Sequence, residues 1–292
     1  MKPAAFRYLA PTTVEEALSL LAEHGDAAKV LAGGQSLVPM MNFRLVTPSI
    51  IIDLNRVTEL GYIRAQGSGL VIGAMTRQRQ IERDPLIVTR APLLVETMPF
   101  VAHPQIRNRG TFGGSIAHAD PAAELPAVAI ALDAQFKLTS QKGVRWVRAA
   151  DFFLGLFTTV LEPTELLTEI ILPPMSPRVG YSFQEMSRRH GDYALAGVAC
   201  ALALSDQGLC REARIVLLGL GASPIDARDA AKQLIGASPT PEAIRAAAQA
   251  VDTEIDPSTD IHASADFRRH LARVLTRRAL DTALARARRG AA

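Results

Sequence analysis

The sequence predicts an α+β fold in two parts, and three observations carry that prediction. Short strand-like and helix-like stretches mix through the first 175 residues without the regular βαβ repetition of a doubly wound sheet. The run Pro173-Pro174-Met175-Ser176-Pro177 then breaks ladders and helices alike. Beyond it, three strand-like stretches come first and the helices follow. The expected division is residues 1–176, with a further break near residue 56, and residues 177–292.

Taken in order, Thr12 or Thr13 can cap a helix in which Val14, Ala17, Leu18, Leu21 and Ala22 recur at helical spacing, and Gly25 ends it. Lys29 to Ala32 reads as a short strand, LVPMMNFRL as a helical turn and SIIIDLN as a buried strand carrying Asp53. Leu60 to Ile63 and Gly69 to Gly73 read as strands paired around Gln66-Gly67-Ser68. AMTRQRQIERDPLI and Ala91 to Met98 read as helices. Pro121 is expected to open a helix, PAAELPAVAIAL, because proline suits the first helical position. The strand AQFKLTS follows, then VRWVRAADFFLG, where Trp146 is expected in the core, and the strand Leu166 to Leu172. In the second part, Gly180 to Ser187, Ala194 to Leu204 and Arg211 to Leu218 read as three strands. Helices are expected at DARDAAKQLIG, at TPEAIRAAAQAV and from about Ser264 to Arg288, the last with Phe267, Leu271, Val274, Leu275 and Leu284 on one face. The arginines of that helix read as a solvated face or a subunit contact, with a membrane surface as the weaker alternative.

Two stretches stand out chemically. Ala32-Gly33-Gly34-Gln35-Ser36 and Thr111-Phe112-Gly113-Gly114-Ser115 are both Gly-Gly segments ending in serine. Paired glycines let successive amides approach an anion, and the hydroxyls can donate as well. Two such segments can grip one pyrophosphate from opposite sides, or they are two unrelated turns; spacing alone leaves both readings standing. The first segment sits between two strands with an acid about twenty residues on, yet it lacks the third glycine of G-x-G-x-x-G, which argues against a Rossmann domain. Asp120 follows the second segment, and its carboxylate would suit a ribose or ribityl hydroxyl. Tyr193 starts a strand after a polar turn, where an aromatic ring either packs the core or stacks on a flat ligand.

Composition removes several classes. A net charge of +3 without an aromatic-interleaved basic patch is no nucleic-acid signature. Cys200 and Cys210 lack metal-ligand spacing, so no zinc or iron–sulfur site is expected; a disulfide between them stays open. No uninterrupted run of 18 apolar residues occurs, and the start of the chain is not signal-like, which predicts a soluble cytoplasmic protein without membrane insertion.

On AGGQSL at 32–37, RNRGTFGGSIAHADPAAELP at 107–126 and RRHGDYALAGVA at 188–199, the chain resembles the FAD-binding medium subunit of the molybdenum hydroxylases, the carbon monoxide dehydrogenase and xanthine dehydrogenase group. The resemblance covers essentially the whole chain. It implies a flavin domain of the vanillyl-alcohol-oxidase type and a C-terminal three-stranded antiparallel sheet with a helical bundle. It implies FAD held without a covalent bond, its pyrophosphate on Ala32, Gly33, Gly34, Gln35 and Ser36 and on Thr111, Gly113, Gly114 and Ser115, through amides and hydroxyls. Lys29 would lie near the adenine end, Asp120 would take a cofactor hydroxyl, and Tyr193 would lie against the isoalloxazine. His118 and His103 would be polar pocket residues, and Leu37 and Leu166 complete the implied contact set. The implied function is electron transfer from a 2Fe–2S small subunit to NAD, a quinone or oxygen. Substrate chemistry would sit on a molybdopterin large subunit, in a dimer of heterotrimers. No acid–base catalytic residue is implied. Two other readings stand beside it: a self-contained flavin oxidoreductase of the same fold, and a nucleotide-binding module without redox chemistry.

Overall fold

A computed structural model describes residues 1–290. The chain begins with β1 (Arg7–Leu9), α1 (Val14–His24), β2 (Ala28–Leu31), α2 (Leu37–Asn42) and β3 (Ile50–Asp53), and its strands form a parallel sheet in the order β1-β3-β2. Thr13 caps α1, its hydroxyl accepting from Glu16 N at 3.1 Å. Ala17, Leu18 and Leu21 of that helix bury against Ile52, Leu54 and Leu60, a small N-terminal core. β1 has no counterpart in the sequence reading: three residues, RYL, carry too little pattern to announce a strand.

The middle of the chain supplies β4 (Ile63–Gln66), β5 (Gly69–Gly73), the short helices α3 (Gln78–Ile81), α4 (Pro85–Arg90), α5 (Pro92–Thr97), α6 (Pro104–Arg107) and α7 (Phe112–His118), and then α8 (Glu124–Ala131). β6 (Gln135–Ser140), β7 (Gly143–Arg148), the small hairpin β8 (Phe153–Gly155) with β9 (Thr158–Thr159), and β10 (Leu166–Leu172) complete it. The sheet is antiparallel, in the order β4-β5-β10-β6-β7. Leu60 lies in a 3-10 turn rather than a strand. AMTRQRQIERDPLI makes two helices, because Asp84 caps α4 (Leu86 N to Oδ1, 2.8 Å) with Pro85 at its first position. The helix expected from Pro121 begins three residues later. Asp120 Oδ1 accepts from Ala122 N at 2.9 Å and holds Pro121 to Ala123 in a turn. Trp146 is 48% exposed and not in the core; the Lys137 ammonium lies 5.9 Å from its ring centroid on this edge strand.

The C-terminal part consists of β11 (Val179–Ser187), β12 (Ala194–Leu204), β13 (Cys210–Leu218), a two-residue β14 (Ile225–Asp226), α9 (Arg228–Lys232), α10 (Pro241–Ala250) and α11 (Ala265–Arg289). Its antiparallel sheet has four strands in sequence order, the fourth too short to leave a sequence signal. Every residue of β12 is buried: Ala199 faces the central core, and Val198, Cys200 and Leu202 face a second core with α9, α10 and α11. Gly180 lets α11 lie directly on β11, since an added Cβ would strike Ala283 O. Phe267 is exposed; the buried side chain of that first turn is Arg268, which donates to Leu195 O at 2.7 Å and Asp260 Oδ2 at 2.8 Å. Val274 is only partly buried, and the helix packs through Leu271, Leu275, Ala279, Leu280, Ala283 and Leu284 instead. Among the described residues, no helix is long and apolar enough to cross a membrane.

Candidate functional site

β2 delivers the chain into the first Gly-Gly segment. Gly34 takes φ +76°, a region L side chains rarely adopt, and so turns the backbone. Gln35 Nε2 donates to Gly33 O at 2.9 Å and closes the loop from outside. The amides of Gly33, Gly34, Gln35, Ser36 and Leu37 find no acceptor among the described residues, and the Ser36 hydroxyl makes no capping bond. All five residues are half-buried. Successive free amides at a turn form a concave donor surface suited to an anion.

The second Gly-Gly segment is built differently. It is not a loop but the first turn of α7, capped by Thr111, whose hydroxyl accepts from Gly114 N at 3.1 Å. Phe112 N donates to Thr76 O (3.0 Å), Gly113 N to Ala74 O (2.9 Å) and Ser115 N to Thr111 O (3.2 Å). The expectation that both segments present backbone amides is therefore corrected for 112–115, whose amides are used within the protein; Thr111 N finds no acceptor among the described residues. The glycines are needed for close packing. A Cβ on Gly113 would lie 2.5 Å from the Ala74 Cβ, and one on Gly114 would lie 2.6 Å from Thr111 Oγ1 and 3.3 Å from the Ala32 Cβ. What this segment can offer a ligand is the half-buried Ser115 hydroxyl and a surface stripped of side chains.

The structure brings the two segments into contact. A Cβ on Gly33 would lie 2.5 Å from Arg109 O and 2.7 Å from the Gly110 Cα. Gln78 N donates to Gly110 O (2.9 Å), so residues 74–78 run as an antiparallel rail beside 110–113. Asn55 Nδ2 donates to Ala32 O (2.9 Å), and Arg77 donates both to Asn55 Oδ1 (2.6 Å) and to Arg109 O. Asn55, Arg77 and Arg109 were missed by sequence reasoning. An asparagine after a strand, an arginine in a helix-like run and a backbone carbonyl, that of Arg109, carry no signal of a shared polar network.

The other expected residues fall around this pair. Lys29 is exposed on β2. The His118 ring centroid lies 5.0 Å from that of Phe157, and burial lowers the His118 pKa against the opposing pull of Asp120. Ala119 closes α7 in the left-handed region at φ 52°, which turns Asp120 back over the helix end. Tyr193 is 73% exposed, so it is no core residue; partial desolvation and then the charges of Asp120 and Glu124 raise its phenol pKa. The Leu166 side chain is 3% exposed, packed with Leu60 and Met75 in the N-terminal core on which Ala32 also rests. Its side chain therefore backs the first segment.

Two further carboxyls escaped the sequence. Glu124 opens α8 and is buried, which pushes its pKa up to about 7, the Asp120 charge adding to the effect. Glu185 on β11 is pushed up to about 9 by burial and by Glu124, and its Oε2 has no hydrogen-bond partner. Among the described residues no group of three or more His, Cys, Asp or Glu could hold a metal ion.

Five unused amides and two free serine hydroxyls, with no carboxylate in either segment, form a donor set that fits a diphosphate. Comparison with known proteins agrees. The family described as the FAD binding domain in molybdopterin dehydrogenase matches residues 4–175, and the CO dehydrogenase flavoprotein C-terminal domain matches residues 181–283. The chain is 44% identical to the 6-hydroxypseudooxynicotine dehydrogenase complex subunit alpha of Paenarthrobacter nicotinovorans, covering 99% of this chain and 97% of that one. It is 40% identical to the carbon monoxide dehydrogenase medium chain of Hydrogenophaga pseudoflava, covering 98% and 99%. A solved structure of carbon monoxide dehydrogenase from Hydrogenophaga pseudoflava, in a form lacking the Mo-pyranopterin moiety, superposes with a TM-score of 0.96 at 42% identity, covering 98% of this chain and 99% of that one. These relatives are oxidoreductase subunits, and the chain belongs with them to the family of FAD-binding medium subunits of the molybdopterin dehydrogenases.

Proposed function

We propose that this chain is the electron-transfer subunit of a molybdopterin-dependent hydroxylase or dehydrogenase. It would receive electrons from a 2Fe–2S small subunit and pass them to an external acceptor, NAD, a quinone or oxygen. Substrate oxidation would occur on a molybdopterin large subunit, in a cytoplasmic dimer of heterotrimers. The observation that carries the reading is the row of free amides from Gly33 to Leu37 beside the capped turn of α7. Relatives matched over nearly their whole length are themselves named as a subunit or a medium chain, which favours a division of labour between chains.

Bound FAD supplies the exchange between one-electron and two-electron chemistry, which no side chain provides. The protein's part is binding and exposure. The amides of 33–37 with the Ser36 and Ser115 hydroxyls would hold the diphosphate, Lys29 would lie toward the adenine, and Asp120 would accept from a cofactor hydroxyl. Tyr193, exposed at the mouth, would cover the ring system and govern how closely an acceptor approaches. His118, kept neutral by burial, would line the pocket as a hydrogen-bonding group and not as an attachment point. The flavin domain would be residues 1–176, with the vanillyl-alcohol-oxidase type of fold, and the second domain residues 177–292.

A visible spectrum of the purified chain, followed by acid precipitation, tests this. Flavin bands that move wholly into the supernatant as FAD are expected. A colourless protein that cannot be reconstituted refutes the reading, and colour retained in the pellet refutes non-covalent binding.

A further inference from the structure

We propose that Arg77 is a positioning residue that sets the gap between the two Gly-Gly segments and so determines how firmly the chain grips a nucleotide diphosphate. The inference rests on the FAD reading above and adds to it a residue that lies in neither segment.

Three observations carry it. The Arg77 guanidinium donates to two acceptors outside the segments themselves, Arg109 O just before the second segment and Asn55 Oδ1 after β3, the latter at 2.6 Å. Asn55 passes the connection to Ala32 O at 2.9 Å, where the first segment begins. Asn55 is itself fixed by Asp53, whose carboxylate accepts from Asn55 N at 2.9 Å, from Asn55 Nδ2 and from the Tyr8 hydroxyl at 2.5 Å. A continuous set of hydrogen bonds thus runs from Tyr8 through Asp53, Asn55 and Arg77 to Arg109, tying β1 and β3 to the entrance of α7.

The endpoints explain why an arginine stands there. Gly33 is held against Arg109 O with no room for a methyl group, and Arg109 O and Asn55 Oδ1 both accept from the one Arg77 side chain beside that contact. A planar guanidinium satisfies two acceptors at a fixed separation, which a lysine ammonium on a flexible stem does not. Arg77 is half-buried and forms no ion pair within 4 Å among the described residues; burial and then the Arg109 charge lower its pKa, against the opposing charge of Asp53. Its own backbone pairs with Thr111, so its anchor point moves with α7. This connection, beside the close contacts at Gly33 and at Gly114 with Ala32, therefore sets the distance of Ser36 and the amides of 33–37 from Ser115.

The test uses the full-length chain stripped of flavin, as wild type and as Arg77→Met, Arg77→Lys and Asn55→Leu. FAD binding is read by quenching of flavin fluorescence, ADP and AMP binding by calorimetry, and the apoprotein melting point by circular dichroism. All three variants are expected to bind FAD and ADP at least about tenfold more weakly, the worth of one charge-assisted hydrogen bond. AMP affinity should change less than about threefold, so the preference for diphosphate over monophosphate shrinks. Asn55→Leu separates the connection from the charge, because it removes none. ADP affinity within twofold of wild type in Arg77→Met overturns the proposal. So does full rescue by Arg77→Lys, which would make the effect one of charge alone. So does a loss shared equally by AMP and accompanied by a collapsed melting point, which would make Arg77 merely structural. A wild-type chain that binds neither FAD nor ADP refutes the flavin reading itself.

Discussion

Replacing Gly33 by alanine adds one methyl group at the place where the two segments touch. That Cβ would lie 2.5 Å from Arg109 O and 2.7 Å from the Gly110 Cα, both backbone atoms on the opposite side. Neither can rotate away. To reach ordinary contact near 3.4 Å, the segments must part by about 0.9 Å. Overpacking of this kind costs about 1–3 kcal/mol. The larger effect falls on ligand binding. Displacing the amides of 33–37 relative to Ser115 by that distance stretches one or two hydrogen bonds to a diphosphate beyond their range. Each is worth about 1.5–3 kcal/mol when the acceptor is charged, so FAD affinity should fall by about tenfold to a hundredfold for one stretched bond and by up to about 10⁴-fold for two. Equilibrium titration of the apoprotein with FAD measures this, with Gly155→Ala as a control because no atom lies within 4 Å of its added Cβ. A Gly33→Ala chain that binds FAD within twofold of wild type would refute the reasoning that contact between the segments shapes the site.

Other consequences follow from the buried carboxyls and the exposed aromatic. Glu185 has its pKa raised from 4.5 to about 9 and Glu124 to about 7, so the folded chain holds protons that the unfolded chain releases. Their contribution to stability is complete below about pH 4.5 and is lost as pH rises through 7 and 9, with a slope of up to about 1.4 kcal/mol per pH unit for each proton. Thermal midpoints of the apoprotein should fall across that window, and Glu185→Gln should flatten the fall; parallel profiles would contradict the assignment. Trp146→Ala should cost no more than about 1 kcal/mol by urea unfolding, the worth of its contact with Lys137. A loss of about 3 kcal/mol or more, typical of a core tryptophan, would show that it packs in the folded chain.

Much of this site could be read from the chain, though not always for the right reason. The two Gly-Gly segments were visible because glycine pairs beside serines are rare enough to notice, and the structure does place them together. Their apparent equivalence misled. Gly34 is needed for a positive φ in a turn that leaves amides free, whereas Gly113 and Gly114 are needed so that α7 can lie against Ala74 and Ala32. Sequence cannot tell these uses apart, since both ask only for a missing side chain. Trp146 and Phe267 were placed inside by hydrophobicity alone, yet one sits on an edge strand and the other in a helix's first turn. Arg77, Asn55 and Glu185 were invisible because their roles depend on partners 22 to 61 positions away.

The two segments belong to different cores, and that has a physical consequence for what a ligand does. Ala32 rests on the N-terminal cluster with Ile52 and Leu166, whereas Phe112 and Ile116 of α7 lie in the central cluster with Leu70, Ile72 and Phe136. A diphosphate held by both would add a connection to those already made here by the Asn55–Arg77 hydrogen bonds and by the contacts at Gly33 and at Gly114 with Ala32. Binding energy then appears as resistance to their separation, about 2.7 kcal/mol at a ligand concentration a hundredfold above Kd. Amide hydrogen exchange should report it in two places at once. FAD should slow exchange in residues 33–37, whose amides are free without ligand, and also in α7, whose amides are already bonded and can gain protection only through reduced opening. Protection confined to 33–37 would mean that the ligand fills one segment without joining the two cores, and the two-sided grip would have to be abandoned.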